Sequence, residues 1–394
     1  MTPTARTELR RLFDWLVDGA PGACTPDQVV GRIAESFDAG GLDIDRIAAF
    51  VRTLHPHIMG SSYVWQRETG RVDVTEAPYA VLNSEMYLGS PVGRVHLDGK
   101  EYRKRLDGDE PLGATELSFR ARGLTDYLIV PLPFTDGQVQ AIAFATRVAS
   151  GFTEELLDAL RDLTRPLARI VEIQALRHTA TNLLSAYVGR DAGERILRGN
   201  VQRGDTESVR CVVWVSDLRG FTTLSTRSEP IDVIRLLNQV FDCQVPAVDR
   251  NGGQVLKFMG DGMLAIFPIE SADAESGVCR AALCAATEAF AALDAVNKVR
   301  VTEGSAELSF GLALHLGDVA YGNIGGATRL DFTCIGPAVN LASRIEGLTG
   351  RLAKRVLLSE AFATAATFSP TALIGSFELK GVDGAPRIYE PQAE

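Results

Sequence analysis

The sequence predicts a chain of class α/β (α+β) with two folded domains, and three observations carry that reading. Its 394 residues are 46% hydrophobic and 23% charged, enough apolar material for more than one buried core and far from a disordered composition. Between Ser61 and Thr146, short apolar runs broken by Gly, Pro and Asp read as a small sheet with helical patterns on either side. From Val209 onward, strand and helix patterns alternate, as in a second α/β unit.

Fifty acidic against 40 basic residues give a net charge of -10, which repels nucleic acid and anionic lipid over most of the surface. A polyanionic ligand must therefore meet a local basic cluster, and nucleic acid is not an expected partner. The six cysteines show no CxxC pair or repeated spacing, as expected for reduced thiols. The start MTPTARTELRRLF lacks the apolar core of a signal peptide, and no window approaches the roughly 18 apolar residues of a membrane span. A cytoplasmic location is the expectation.

In the first helix, Leu9, Leu12, Phe13 and Leu16 share a face and the pattern stops at Gly19 and Pro21. The second has Thr25 as N-cap, Pro26 at its first position and Gln28 completing a capping box, with Val29, Val30, Ile33 and Phe37 apolar. The sheet segments are SSYVWQ, DYLIVPLPF and QVQAIAFAT, the last two joined by a turn at Asp136-Gly137. A long helix follows the cap Thr153, with Glu154 and Glu155 in its first turn.

Along that helix Leu156, Leu160, Leu163, Leu167 and Ile170 recur at alternating intervals of four and three, which fits a coiled-coil seam between two copies. The same stripe also fits packing on the chain's own sheet, and Pro166 is a local kink candidate. "VPLPFTDGQVQAIAFAT" followed by "GFTEELLDALRDLTRPLARIVE" resembles a GAF domain, a small-molecule sensing module with a mixed sheet. Trp65, His55, His57 and Tyr127 are candidates for a ligand pocket there, with core and surface positions as the alternative, and no ligand is assigned. Residues 177–208 are polar and punctuated by glycine, as in a connector. The expected domains are 1–152, a GAF-like sensor with N-terminal helices; 153–208, a helical, coiled-coil connector; and 209–394, a catalytic domain.

The chemistry concentrates in the last of these. In CVVWVSDLRGFTTLS, Asp217 ends an apolar strand where the chain turns into a glycine-containing loop. In GGQVLKFMGDGMLAIFP, two apolar runs read as a hairpin with Asp261 at its tip. Either aspartate alone is ordinary. Brought together, two carboxylates suit Mg²⁺ or Mn²⁺, hard ions that take oxygen ligands and bridge to phosphates.

Four blocks in order, "SDLRGFTTLS", "GGQVLKFMGDGMLAIF", "GLALHLGDVAYGNIG" and "LDFTCIGPAVNLASRIEG", resemble the class III nucleotide cyclases. The resemblance implies a catalytic domain with a ferredoxin-like βαββαβ core, working as a homodimer with active sites at the interface. It implies that Asp217 and Asp261 bind two divalent ions, Mg²⁺ or Mn²⁺, per active site. Asn340 and Arg344 match the pair that stabilises the transition state, Lys257 and Thr333 the base-reading pair, and Lys380 a contact to the triphosphate. Lysine at 257, which can donate to adenine N1, with Thr333 accepting from the amino group, implies ATP as substrate and 3′,5′-cyclic AMP and pyrophosphate as products. A guanylate cyclase, expected to carry Glu in place of Lys257, and an inactive nucleotide-binding dimeric regulator are the alternatives. An unidentified small-molecule or protein signal at the N-terminal domain would control activity. Pro337, where the family commonly has an acidic residue, is a departure expected to stiffen the loop before Asn340 and remove a backbone donor.

Overall fold

Helices α1 (Pro3–Val17) and α2 (Pro26–Ala39) form where the apolar spacing predicts them, burying Leu9, Leu12 and Leu16 of one and Val29, Val30, Ile33 and Phe37 of the other. Gln28 Oε1 accepts the backbone N–H of Cys24 at 2.7 Å, while the Thr25 hydroxyl caps nothing. The computed structural model describes residues 1–226 and 229–392, in two units, Met1–Leu183 and Leu184–Glu394.

In the first unit the strands are β1 (Arg46–Arg52), β2 (Ile58–Gln66), β3 (Arg71–Pro78), β4 (Tyr102–Arg105), β5 (Asp126–Pro133) and β6 (Val139–Thr146), in the order β3-β2-β1-β6-β5-β4. Every pairing is antiparallel, so the sheet is not mixed as expected; hairpin and meander connections favour that arrangement. Ile47, Ala49 and Val51 of β1 face a core shared with α1 and α2. Ala48 faces a second core with Val95 of α4 (Pro91–Asp98) and Phe119 of α5 (Ala114–Ala121), beyond the short helix α3 (Glu85–Leu88). Trp65 lies in the first core and Tyr127 in the second, so the two line no common pocket, and His55 and His57 sit on the β1–β2 connection.

The long helix α6 (Glu154–Val188) corrects two expectations. Leu156, Leu160, Leu163, Leu167 and Ile170 are all buried in the first core, against the unit's own helices and sheet, so this stripe is not a free seam for a second copy. The spacing did not discriminate because a helix covering a concave core needs the same four-three stripe as a coiled coil. The polar stretch after Arg177 stays helical to Val188, and after a break at Gly189 (φ +88°) continues as α7 (Arg190–Leu197).

In the second unit β7 (Thr206–Leu218) is followed by α8 (Phe221–Ser225), α9 (Pro230–Arg250), β8 (Gln254–Met259), β9 (Gly262–Pro268), α10 (Glu275–Thr302) and β10 (Phe310–Gly325). Their order, β10-β7-β9-β8 with every neighbour antiparallel, is the ferredoxin-like βαββαβ arrangement. Added to it are β11 (Leu330–Ile335), α11 (Pro337–Glu346), β12 (Val356–Ser359), α12 (Glu360–Ala365), β13 (Thr371–Ser376) and β14 (Arg387–Pro391). β11 pairs with β10, and β12, β14 and β13 extend the sheet beyond β10.

Residues Ala272–Thr302, spanning α10, are long and apolar enough to cross a membrane by length and composition, which the sequence reading overlooked. Cys279, Ala282, Ala286, Ala289 and Leu293 of this helix pack in one core with Val212 and Trp214 of β7, which accounts for its apolar composition.

Because Leu160 is fully buried in the first core, Leu160→Ala should destabilise the protein by about 2–5 kcal/mol in denaturant unfolding. Its oligomeric state by light scattering should stay unchanged, whereas a seam between copies would dissociate.

Candidate active site

Central strand β7 ends at the site. Asp217 is opposite Gly262 of β9 on one side and Gly311 of β10 on the other, so no neighbouring side chain crowds its carboxylate. A Cβ on Gly262 would stand 2.8 Å from the Ser216 carbonyl oxygen and 3.1 Å from Asp217 Oδ1. Asp261 occupies the tight β8–β9 turn, where Gly260 takes φ +67°, a left-handed conformation that suits glycine. Strand end and hairpin tip thus place the two predicted aspartates together.

Partial burial, and then the nearby charge of Asp261, push the Asp217 carboxyl up to about 6, with no basic group among the described residues offsetting either effect. The sequence reading missed a third carboxylate. Burial pushes Glu346 up to about 7, with the charge of Asp217 as the next cause and a smaller push from Asp261, opposed by the Thr349 hydroxyl and Arg219. Its only sequence signal is a carboxylate two residues past Arg344, on the other side of the same helix.

Two neighbouring carboxylates that repel each other fit a hard divalent cation. Among the described residues, no three His, Cys, Asp or Glu side chains converge closely enough to hold a metal. An ion bound by Asp217 and Asp261 would complete its shell with water and substrate oxygens, as Mg²⁺ does at phosphate sites.

Lys257 follows a bulge in β8 and reaches toward β11, where its charge counters the effect of burial on the Cys334 thiol, which is pushed up to about 11. Thr333, the neighbour of Cys334 on β11, is buried and its hydroxyl has no hydrogen-bond partner. The two predicted base-reading residues therefore lie on adjoining strands, and the threonine oxygen is an orphan acceptor. Arg219, two residues past the first aspartate, donates to the Lys354 carbonyl.

Asn340 and Arg344 are exposed on α11, four residues apart on one face. Pro337 is the first residue of that helix, a position whose N–H would find no partner inside the helix, so the expected loss of a donor has no consequence there. Lys380 is exposed on the β13–β14 connection; its neighbour Leu379 packs with Ile345 and Leu348, which brings it near the end of α11.

The family model described as the adenylate and guanylate cyclase catalytic domain matches residues 204–389. This region is a class III cyclase catalytic domain. The cyclase domain is similar to an adenylate cyclase of Anabaena cylindrica, 35% identical over 202 residues, 49% of this chain and 39% of that protein. It is also similar to adenylate cyclase 1 of Rhizobium meliloti, 30% identical over 44% of this chain and 26% of that protein. The chain thus spans well under half the length of these curated relatives. A solved bacterial light-regulated adenylyl cyclase, 19% identical, aligns over 74% of this chain and 92% of its own with a TM-score of 0.50, a likeness of fold.

The Asp217 shift has a definite sign. Its folded value of about 6 lies above that of a free carboxyl, about 3.9, so its contribution to stability is full below about pH 4 and lost as pH rises through 6. Protons also compete with cations for this carboxylate. Mn²⁺ should therefore raise the melting temperature of the cyclase domain more at pH 7.5 than at pH 5, a difference that thermal scans with and without the ion would measure.

Proposed function

We propose that the chain is an adenylate cyclase that converts ATP to 3′,5′-cyclic AMP and pyrophosphate and acts as a homodimer. The observation that carries the reaction class is the pair Asp217 and Asp261, brought together at the end of β7 in a cyclase fold. Two divalent ions bound there, Mg²⁺ or Mn²⁺, would neutralise the triphosphate and favour the ionised ribose 3′-hydroxyl that attacks the α-phosphate. Lys380 would hold the triphosphate. Asn340 and Arg344 would donate to the oxygens on which charge builds as pyrophosphate leaves, and Arg344 offers a permanently charged planar fork for that purpose.

The preference for ATP rests on Lys257 and Thr333. A lysine donating to N1 and a hydroxyl accepting from the exocyclic amine match adenine, while guanine presents the opposite pattern and would leave buried groups unpaired. The unpartnered Thr333 hydroxyl and the position of Lys257 beside β11 support this pairing. The named adenylate cyclases among the similar proteins support it as well.

The geometry of α11 supports the homodimer. At about 100° per residue, Asn340 and Arg344 lie within roughly 40° of each other, but Arg344 is roughly 160° from Glu346. Glu346 faces the aspartates of its own chain, so the transition-state pair points away from them. A complete site then takes Asp217 and Asp261 from one chain and Asn340 and Arg344 from another. Phe258 and Met259, apolar and exposed beside Lys257 and Asp261, suit such an interface. The N-terminal unit, joined through α6, would receive a small-molecule or protein signal.

The purified full-length protein should form cyclic AMP from ATP in the presence of Mg²⁺ or Mn²⁺ and little cyclic GMP from GTP, with Asp261→Ala abolishing product. Cyclic GMP as the main product would reject the base assignment, and Lys257→Glu should shift the preference toward GTP.

Asp217→Ala and Arg344→Ala chains should each be inactive alone and regain activity when mixed, because each heterodimer assembles one intact site. Absence of complementation in verified heterodimers would place the whole site in a single chain.

A further inference from the structure

Among the described residues, Glu346 is the carboxylate near the proposed cation site to which the reaction gives no role. It ends α11, and its Oε1 would stand 2.7 Å from a Cβ placed on Gly311, the residue paired with Asp217 across the β7–β10 ladder. It therefore lies over the strand beside Asp217, in space that glycine leaves open. The Thr349 hydroxyl, 3.3 Å from Oε1, is its hydrogen-bond partner, and Arg219 is the nearby cation.

We propose that Glu346 is an outer carboxylate of the cation site, reaching through water the ion held by Asp217 and Asp261 and so fixing α11 when that ion is bound. The inference rests on the cation-site reading above. Glu346 lies outside the coordination shell, because the described residues contain no three-ligand cluster. A bound cation would convert its repulsion from the aspartates into attraction to a shared charge. Outer groups of this kind hold the water and side chains that touch the ion in place. Because the same helix carries Asn340 and Arg344, Glu346 is a positioning residue for the segment that presents them.

The test is Mn²⁺ binding to the full-length protein at pH 7.5 without nucleotide, read from the electron paramagnetic resonance of free Mn²⁺. Glu346→Gln keeps the shape of the side chain, and should weaken Mn²⁺ binding about tenfold while leaving the melting temperature without metal nearly unchanged. Glu346→Asp, which retains the charge on a shorter arm, should lose less. Hydrogen exchange of α11 should slow on Mn²⁺ addition in the parent protein and not in Glu346→Gln. Wild-type Mn²⁺ affinity in Glu346→Gln, with binding lost in Asp217→Asn, would overturn the proposal and leave the cation site standing. Wild-type affinity in Asp217→Asn would overturn the cation-site reading itself.

Discussion

The pairing of β7 with β10 runs unbroken from Thr206 opposite Gly322 to Leu218 opposite Phe310, and the rest of the cyclase domain is arranged around it. Strand β7 is buried on both faces from Cys211 to Ser216. Val212 and Trp214 enter the core under α10, while Cys211, Val213 and Val215 enter the core that also holds Ala338 and Ala342 of α11. A strand fixed on both faces and both edges cannot shift register without turning its apolar side chains out of both cores. Its last residues are therefore held firmly, and Asp217 is among them. The ladder also places Gly311 beside Asp217, leaving the space into which Glu346 reaches.

Most buried polar groups in this unit have partners, with the Trp214 indole N–H and Arg219 Nε among the exceptions. Ser216, adjacent to Asp217, donates from its hydroxyl to Gln244 Oε1 at 2.6 Å, and the Asn297 side chain makes reciprocal 2.8 Å bonds with the backbone of Leu308. His315, held neutral by burial that lowers its pKa to about 4, meets the Ser359 hydroxyl at 2.8 Å. Thr333 on β11 joins these exceptions with a buried hydroxyl that has no partner among the described residues. Buried or half-buried polar groups without partners carry a cost that folding alone does not recover.

Much of the site was legible from the order of its blocks, because Asp217, Asp261 and the Asn340–Arg344 pair sit at points that local chemistry fixes: a strand end, a glycine turn and a helical interval of four. Glu346 was not legible, since its role depends on a glycine on another strand, a relation that no local spacing encodes. The leucine stripe of α6 failed for a different reason. A four-three repeat reports that one helical face is buried and is silent on whether a second copy or the chain's own sheet buries it. The length of α6 was hidden by polar residues that are adequate helix formers, and its end waited for Gly189. In α10, abundant alanine lowered the apparent apolarity on reading, although alanine is what lets that helix approach the sheet closely.

Two requirements of the proposed reaction pull α11 in different directions. The helix must be anchored, and Ala338, Ala342 and Ile345 bury it on the domain while Glu346 addresses the cation carboxylates of the same chain. It must also present donors to a phosphoryl group bound elsewhere, which requires Asn340 and Arg344 to remain exposed and free of competing bonds. A single helix can satisfy both only by dividing its circumference, with the anchor on one side and the donors on the other. Folding the donors back toward Asp217 would expose the buried alanines and Ile345. The division of this helix, set by the 3.6-residue turn, is thus the physical reason that catalysis by this domain would need a second chain.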